Sequence, residues 1–344
     1  MDAGECLNLI DAHGFGYGYP PAKSCSSHRE QVFGIRMNQR HDYVHLVVMM
    51  MSTAEQLWIR PVAFKNILFA MDLSATSLLA FQFAAEVAVQ YGGKVFVAHV
   101  ITERESQFDQ AHSREALVRG LENALRPRPY HLADVPHEIV LAQGDVSSGV
   151  LSTIEKLHVD LLVIGTHGWH GIQSLLKGST SRSISALAAR PVMMVGPKVT
   201  RAAQFRTILY ATDFSDASAH ALPYATSLTE MFDAKLILLH VNEWSSAEAP
   251  SDAGSRTSKF VHEQLQNMGF GRNVLDNCEV VVDFGRRADL IVETAGNRAA
   301  NLIVMGSHVQ HGLKSRIAAH LPGSVGYEVT SRVNSPVLTV PFES

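Results

Sequence analysis

The chain repeats itself once, at long range. Asp72 is answered by Asp213, His99 by His240, Gly144 by Gly285 and Gly165 by Gly306, each pair 141 positions apart. Beyond Gly165 the spacing grows. Gly178 matches Gly323, Ser179 matches Ser324 and Pro191 matches Pro336, all at 145. A unit of that length is a domain, not a solenoid repeat. It predicts two copies of one fold, with four extra residues inside one loop of the second copy. At 344 residues, each copy has enough chain for its own core.

Within the first copy, apolar runs alternate with amphipathic stretches. Asn66–Met71, Lys94–Val100, His137–Leu141, Asp160–Ile164 and Pro191–Val195 read as strands. Thr76–Gln90, stopped by Gly92-Gly93, reads as a helix, as do Ser113–Leu125, Val146–Leu157 and Arg182–Ala189. Strands alternating with helices at this spacing predict βαβ units and a parallel sheet. The expected boundaries are a first domain over 61–198, a linker near Lys198–Gln204 and a second domain over 204–344. Residues 1–60 show no sustained period, and Gly14, Gly16 and Gly18 lack the strand and helix that a dinucleotide fingerprint needs. They are expected to form a poorly ordered extension, with translation from near Met49, Met50 or Met51 as the other reading.

The stretch richest in chemistry runs from Gly165-Thr166-His167-Gly168 to Gly178-Ser179-Thr180. It leaves a buried strand and enters a helix. Gly165 and Gly168 would allow positive φ and close approach of an anion to backbone N–H groups. Gly178 and Ser179 would add N–H groups, a hydroxyl and the positive end of a helix dipole. The other reading is a strand–turn–helix whose glycines serve tight packing.

Ligands of an open parallel sheet sit beyond the carboxyl ends of its strands, where strand order reverses. Asp72 ends the first strand and the glycine loop follows the fourth. If those strands are neighbours, a carboxylate and a phosphate loop face one crevice. Asp72 could bond a ribose hydroxyl or an adenine amine, or it could cap the following helix, a task open to Ser74 as well. His99 and His240 read as satisfied core histidines. His167, His170, His308 and His311 do not complete a metal site, having no carboxylate or thiolate at a suitable spacing. Lys177-Gly178-Ser179 lacks the order of a Walker A loop, and neither a Mg²⁺-binding carboxylate pair nor a water-activating base stands near the loop.

These residues together resemble the universal stress protein family, in tandem form and in its ATP-binding branch. Ile67–Ser74 and Ile208–Ser215 are similar to the family's opening strand and its Asp, and Gly165-x2-Gly168-x9-Gly178-Ser179 is similar to its nucleotide loop. The resemblance covers about residues 64–197 and 205–342. It implies two Rossmann-like α/β domains of the adenine nucleotide alpha hydrolase-like kind, each a five-stranded parallel sheet with helices on both faces. It implies a role in stress tolerance and dimerisation through the last strand. By the same resemblance, Asp72 and the backbone of Ala70 and Val100 would hold adenosine. Gly165, Gly168, Gly178, Ser179 and Thr180 would hold ribose and phosphates of ATP, AMP or another adenine nucleotide, with Mg²⁺ accompanying the phosphates. The second loop departs from the pattern: Val309 stands where a glycine belongs, and positive φ there would strain a β-branched residue.

The leading expectation is a nucleotide-binding regulatory protein with an intact first site and a degenerate second one. An ATPase or adenylating enzyme in the same crevice, and an interaction module without ligand, are the alternatives. The two final strands are apolar edges, so pairing them within the chain is expected, with a homodimer as the alternative. A net charge of −4 without basic clusters argues against nucleic acid as a partner. The longest apolar run, Leu46–Met51, is far below the ~20 residues a membrane span needs. Three scattered cysteines suit a reducing compartment, and the cytoplasm is the expected location.

Overall fold

A computed structural model of the chain describes residues 62–102, 114–126, 132–166, 190–201, 204–243, 278–309 and 324–343. The first half contributes β1 (Asn66–Ala70), α1 (Ala75–Tyr91), β2 (Lys94–Ile101), α2 (Arg114–Ala124), β3 (His137–Gln143), α3 (Val146–Lys156), β4 (Leu161–Gly165) and β5 (Val192–Val195). The second contributes β6 (Thr207–Thr212), α4 (Asp216–Met231), β7 (Lys235–Asn242), β8 (Glu279–Phe284), α5 (Arg287–Asn297), β9 (Leu302–Val309), α6 (Val325–Arg332) and β10 (Val337–Glu343). The expected extension over residues 1–60 and the expected helix over Arg182–Ala189 lie outside the described residues.

Each half has its five strands in parallel, but the halves share one sheet. Its order is β3-β2-β1-β4-β5-β10-β9-β6-β7-β8, which reads the same from either end by counterpart strands. The halves meet where β5 and β10 pair antiparallel, Val337 opposite Met194 and Thr339 opposite Val192. An antiparallel seam between two copies of one edge is what a two-fold relation requires. It also closes both apolar edges, leaving Met193, Met194 and Leu338 buried.

The strands are buried because both faces are covered. In β1, Ile67 and Phe69 face a cluster under α1 and α2, while Leu68 faces a second cluster under α3. The period-2 alternation of side chains thus sends neighbours to opposite cores, and the run reads as continuously apolar. α1 begins at Ser74, whose hydroxyl accepts from the Ser77 N–H, and ends at Gly92, in the left-handed region with φ 59°. The cluster under α1 does not stop at the seam. It continues under α4, and a chain of rings crosses between halves: Phe83 with Phe205 at 5.9 Å, Phe205 with Phe232 at 4.8 Å and Tyr91 with Phe232 at 6.5 Å. The Gln90 amide also donates to the Met231 carbonyl at 2.6 Å. The junction is therefore a fused core as well as a strand pair. Val199 and Phe205, at the two ends of the linker, are buried in it.

Candidate functional site

β1 lies between β2 and β4. The chain steps outward from β1 through β2 to β3, then returns to the other flank of β1 for β4. Strand order reverses between β1 and β4, the place beyond whose carboxyl ends open parallel sheets take their ligands. Ala70 stands opposite Ile164 in that pair, so Asp72 and Thr166 lie two residues past it on either side of that reversal.

The turn that presents Asp72 is built the same way twice. Leu73 takes a left-handed φ of 61°, and the Asp72 carboxylate accepts the Ser74 N–H at 2.9 Å. Phe214 has φ 60°, and Asp213 accepts the Ser215 N–H at 3.1 Å. A non-glycine residue in this region costs on the order of 1 kcal/mol or more, so both halves carry strain at the same strand end. Of the two readings of Asp72, the helix cap belongs to Ser74. Asp72 instead stands exposed just beyond the end of β1.

His99 and His240 hold these strand ends from below. Each is buried, with Nδ1 3.0 Å from the carbonyl of Met71 and Thr212 respectively. Burial holds the His240 imidazole below its ordinary range. The Met71 N–H donates to the Ala98 carbonyl at 2.9 Å. Val100, two residues on, directs its backbone to that same side, past the point where β1 turns away. Ala70, Asp72, Val100 and Gly165 thus lie at or just beyond the carboxyl ends of the neighbouring strands β1, β2 and β4. Gly168, Gly178, Ser179 and Thr180 lie outside the described residues, as do His167, His170 and His311.

Gly165 has a different reason from the one expected. It is not among the glycines with positive φ, which are Gly92, Gly144 and Gly285 among the described residues. A Cβ at Gly165 would lie 2.5 Å from the Ser77 nitrogen, and one at Gly306 would lie 2.1 Å from the Ala217 carbonyl oxygen. Both glycines let the first turn of α1 or α4 rest on the adjacent strand. Packing requires them.

The second half departs where the loop begins. Beyond Gly306 opposite Val340, β9 and β10 run on through Ser307–Pro341, His308–Phe342 and Val309–Glu343. In the first half, the matching pair of strands ends at Gly165 opposite Val195. Val309 is therefore a strand residue without positive φ, and the expected strain is absent. The β-branched residue extends the sheet instead of bending the chain.

A second departure was not anticipated. Arg287 opens α5, just past the turn at Gly285, and its guanidinium reaches back over the end of β7. It lies 3.0 Å from the Glu243 carboxylate and 3.9 Å from that of Asp213. Its Nε is buried with no partner among the described residues. Burial opposes ionisation of Asp213. Hydrogen bonds from Ser215 and Ser218, together with the Arg287 charge, outweigh it and hold the carboxyl below its ordinary range. In the first half Val146 and Thr102 stand at the places of Arg287 and Glu243, 141 positions earlier. That contrast was present in the repeat but belongs to no motif. Among the described residues, no group of three His, Cys, Asp or Glu is placed to hold a metal ion, and no helix is long and apolar enough to cross a membrane.

The fold defines a duplicated Rossmann-like α/β protein, and comparison with known proteins agrees. The family model described as the universal stress protein family matches residues 63–196 and again 204–341. The chain belongs to that family and carries its domain twice. It is 34% identical over 142 residues to universal stress protein A homolog 1 of Coxiella burnetii, covering 39% of this chain and 98% of that protein. A universal stress protein of Thermus aquaticus is 33% identical over 135 residues, 38% of this chain and 98% of its own length. A whole relative of this kind thus corresponds to less than half of the chain. Among solved structures, a universal stress protein from Archaeoglobus fulgidus superposes over 81% of this chain and 98% of its own, with a TM-score of 0.57 at 20% identity. That likeness concerns the fold.

Proposed function

We propose that the chain is an adenine-nucleotide-binding regulatory protein of stress tolerance, with its ligand in the first half. Ala70, Asp72 and Val100 hold adenosine in this reading. Gly165 borders the site, and Gly168, Gly178, Ser179 and Thr180 hold the phosphates of ATP, AMP or a related nucleotide, with Mg²⁺ among them. The observation that carries it is the arrangement at the reversal of strand order. A carboxylate on a strained turn stands beside the backbone of Val100, which faces a side that β1 has vacated. An acceptor-only carboxylate suits ribose hydroxyls or an exocyclic amine, and open backbone groups suit a purine edge. Binding rather than turnover is the proposed role, since the sequence sets neither a Mg²⁺-binding carboxylate pair nor a water-activating base beside the glycine loop.

The test is direct. Protein purified without added nucleotide is denatured, the released small molecules are identified, and moles per chain are counted. Calorimetric titration of stripped protein with ATP follows. The expected result is about one site per chain, abolished by Gly168→Val. No nucleotide released and no heat of binding would overturn the reading.

A further inference from the structure

We infer that Arg287 is a built-in occupant of the second crevice, a cation that closes the adenosine side of that half. The inference builds on the proposed first site but can be judged without it. The guanidinium starts from α5, crosses the carboxyl end of β7 and ends between Glu243 and Asp213, at 3.0 and 3.9 Å. One end of that path is the counterpart of Asp72, and the other is Glu243, two residues past Val241, the counterpart of Val100. The carboxylate that would receive adenosine is therefore engaged, and the same cation is tied to the strand end beside it.

The charge pattern fits an occupant rather than a docking cation. The positive charge is held within the chain by two carboxylates, which leaves one net negative charge among the three groups and gives Arg287 partners without any ligand. A ribose arriving there would have to separate Asp213 from Arg287 and displace the side chain from the end of β7. Val146, in the same place in the first half, is uncharged, shorter and packed against the core beneath α3. The arrangement is also dispensable for folding. The side chains of Arg287, Asp213 and Glu243 are 42%, 40% and 55% exposed, and ion pairs that open to water contribute little to stability. The barrier is therefore separate from the extended β9–β10 pair, which alters the phosphate side.

Adenosine itself is the suitable probe, because it lacks phosphates and does not call on the altered loop. Backbone amide NMR of the full chain, titrated with adenosine, reports each half separately. In the wild type, shifts are expected at Asp72 and Val100 only. In Arg287→Val they are expected at Asp213 and Val241 as well, with an unchanged melting curve. The converse variant, Val146→Arg with Thr102→Glu, should weaken ATP binding to the first half at least about tenfold. Shifts at Val241 in the wild type, or none there in Arg287→Val, would overturn the inference. If Asp72 and Val100 never respond but Val241 responds in Arg287→Val, the proposed first site fails and the closure of the second stands. Should the converse variant fold poorly, the Arg287→Val titration decides alone.

Discussion

The two halves keep the same strand order, the same strained turn, the same buried histidine and the same glycine against the first helix. They differ in what lies over the strand ends. The first half places Val146 beside its opening and ends the β4–β5 pair at Gly165 opposite Val195. The second places Arg287 there and carries its strands three pairs further. Features shared by the copies are those the fold needs, since Gly165 and Gly306 both seat a helix and His99 and His240 both secure a strand end. The features that differ lie at the carboxyl ends of the strands. In a duplicated protein, then, shared packing shows what the fold needs, and departures mark where the two copies are free to diverge.

The comparison is most severely tested at the seam. Met193→Asp puts a charge at a fully buried position of β5 and should cost more than about 3 kcal/mol. Because the core is fused, one cooperative melting transition should move down as a whole. Two separate transitions, with one half unaffected, would mean the halves are energetically independent. The glycines come next. Gly165→Ala and Gly306→Ala should each destabilise by about 1–3 kcal/mol, because the new methyl meets backbone rather than a yielding side chain. Urea titration that finds either change neutral would break the packing explanation for that half.

The pH response should be smaller and carry the mark of the second half. His240 is held below its ordinary range, so the unfolded chain takes up its proton first. Its contribution is present above about pH 6.5 and declines as the pH falls below that value. Asp213 adds a second decline below about pH 4, as the unfolded carboxyl protonates before the folded one. Urea midpoints measured across this range should lose the first slope in His240→Asn and the second in Asp213→Asn. Slopes that persist would assign the titration elsewhere. The smallest effect is expected from Arg286→Ala. It removes a fork to Glu328 that joins α5 to α6 and has no counterpart at Asp145, but the pair is solvent-exposed. A melting temperature indistinguishable from wild type is expected, and a clear drop would show that α6 depends on this tether.

Much of this architecture is legible in the residues. Continuous apolar runs bounded by Gly, Ser and Asp fix the strands, because a strand covered on both faces leaves no polar positions to confuse its limits. The doubled pattern locates Asp72 and Gly165, and their being neighbours follows from strand order. The extension of β9 is not legible. Ser307 and His308 are polar, and Gly306 invites comparison with Gly165, whereas pairing with Pro341 and Phe342 across the strand decides the outcome. Arg287 escapes for another reason. An arginine at the start of a helix is ordinary, and its meaning arises only when the fold brings Asp213 and Glu243 within its reach.

The antiparallel seam also sets an order of events during synthesis. Val192 and Thr339, bonded across it, are 147 positions apart. At ordinary translation rates the first half waits on the order of ten seconds for its partner strand. Through that interval β5 is a short apolar ribbon with an open hydrogen-bonding edge, the form most prone to add a stranger. A fragment ending at Lys198 has no later strand to wait for. It should pair β5 with β5 of a second copy and elute as a dimer, and a monodisperse monomer would show that the edge protects itself.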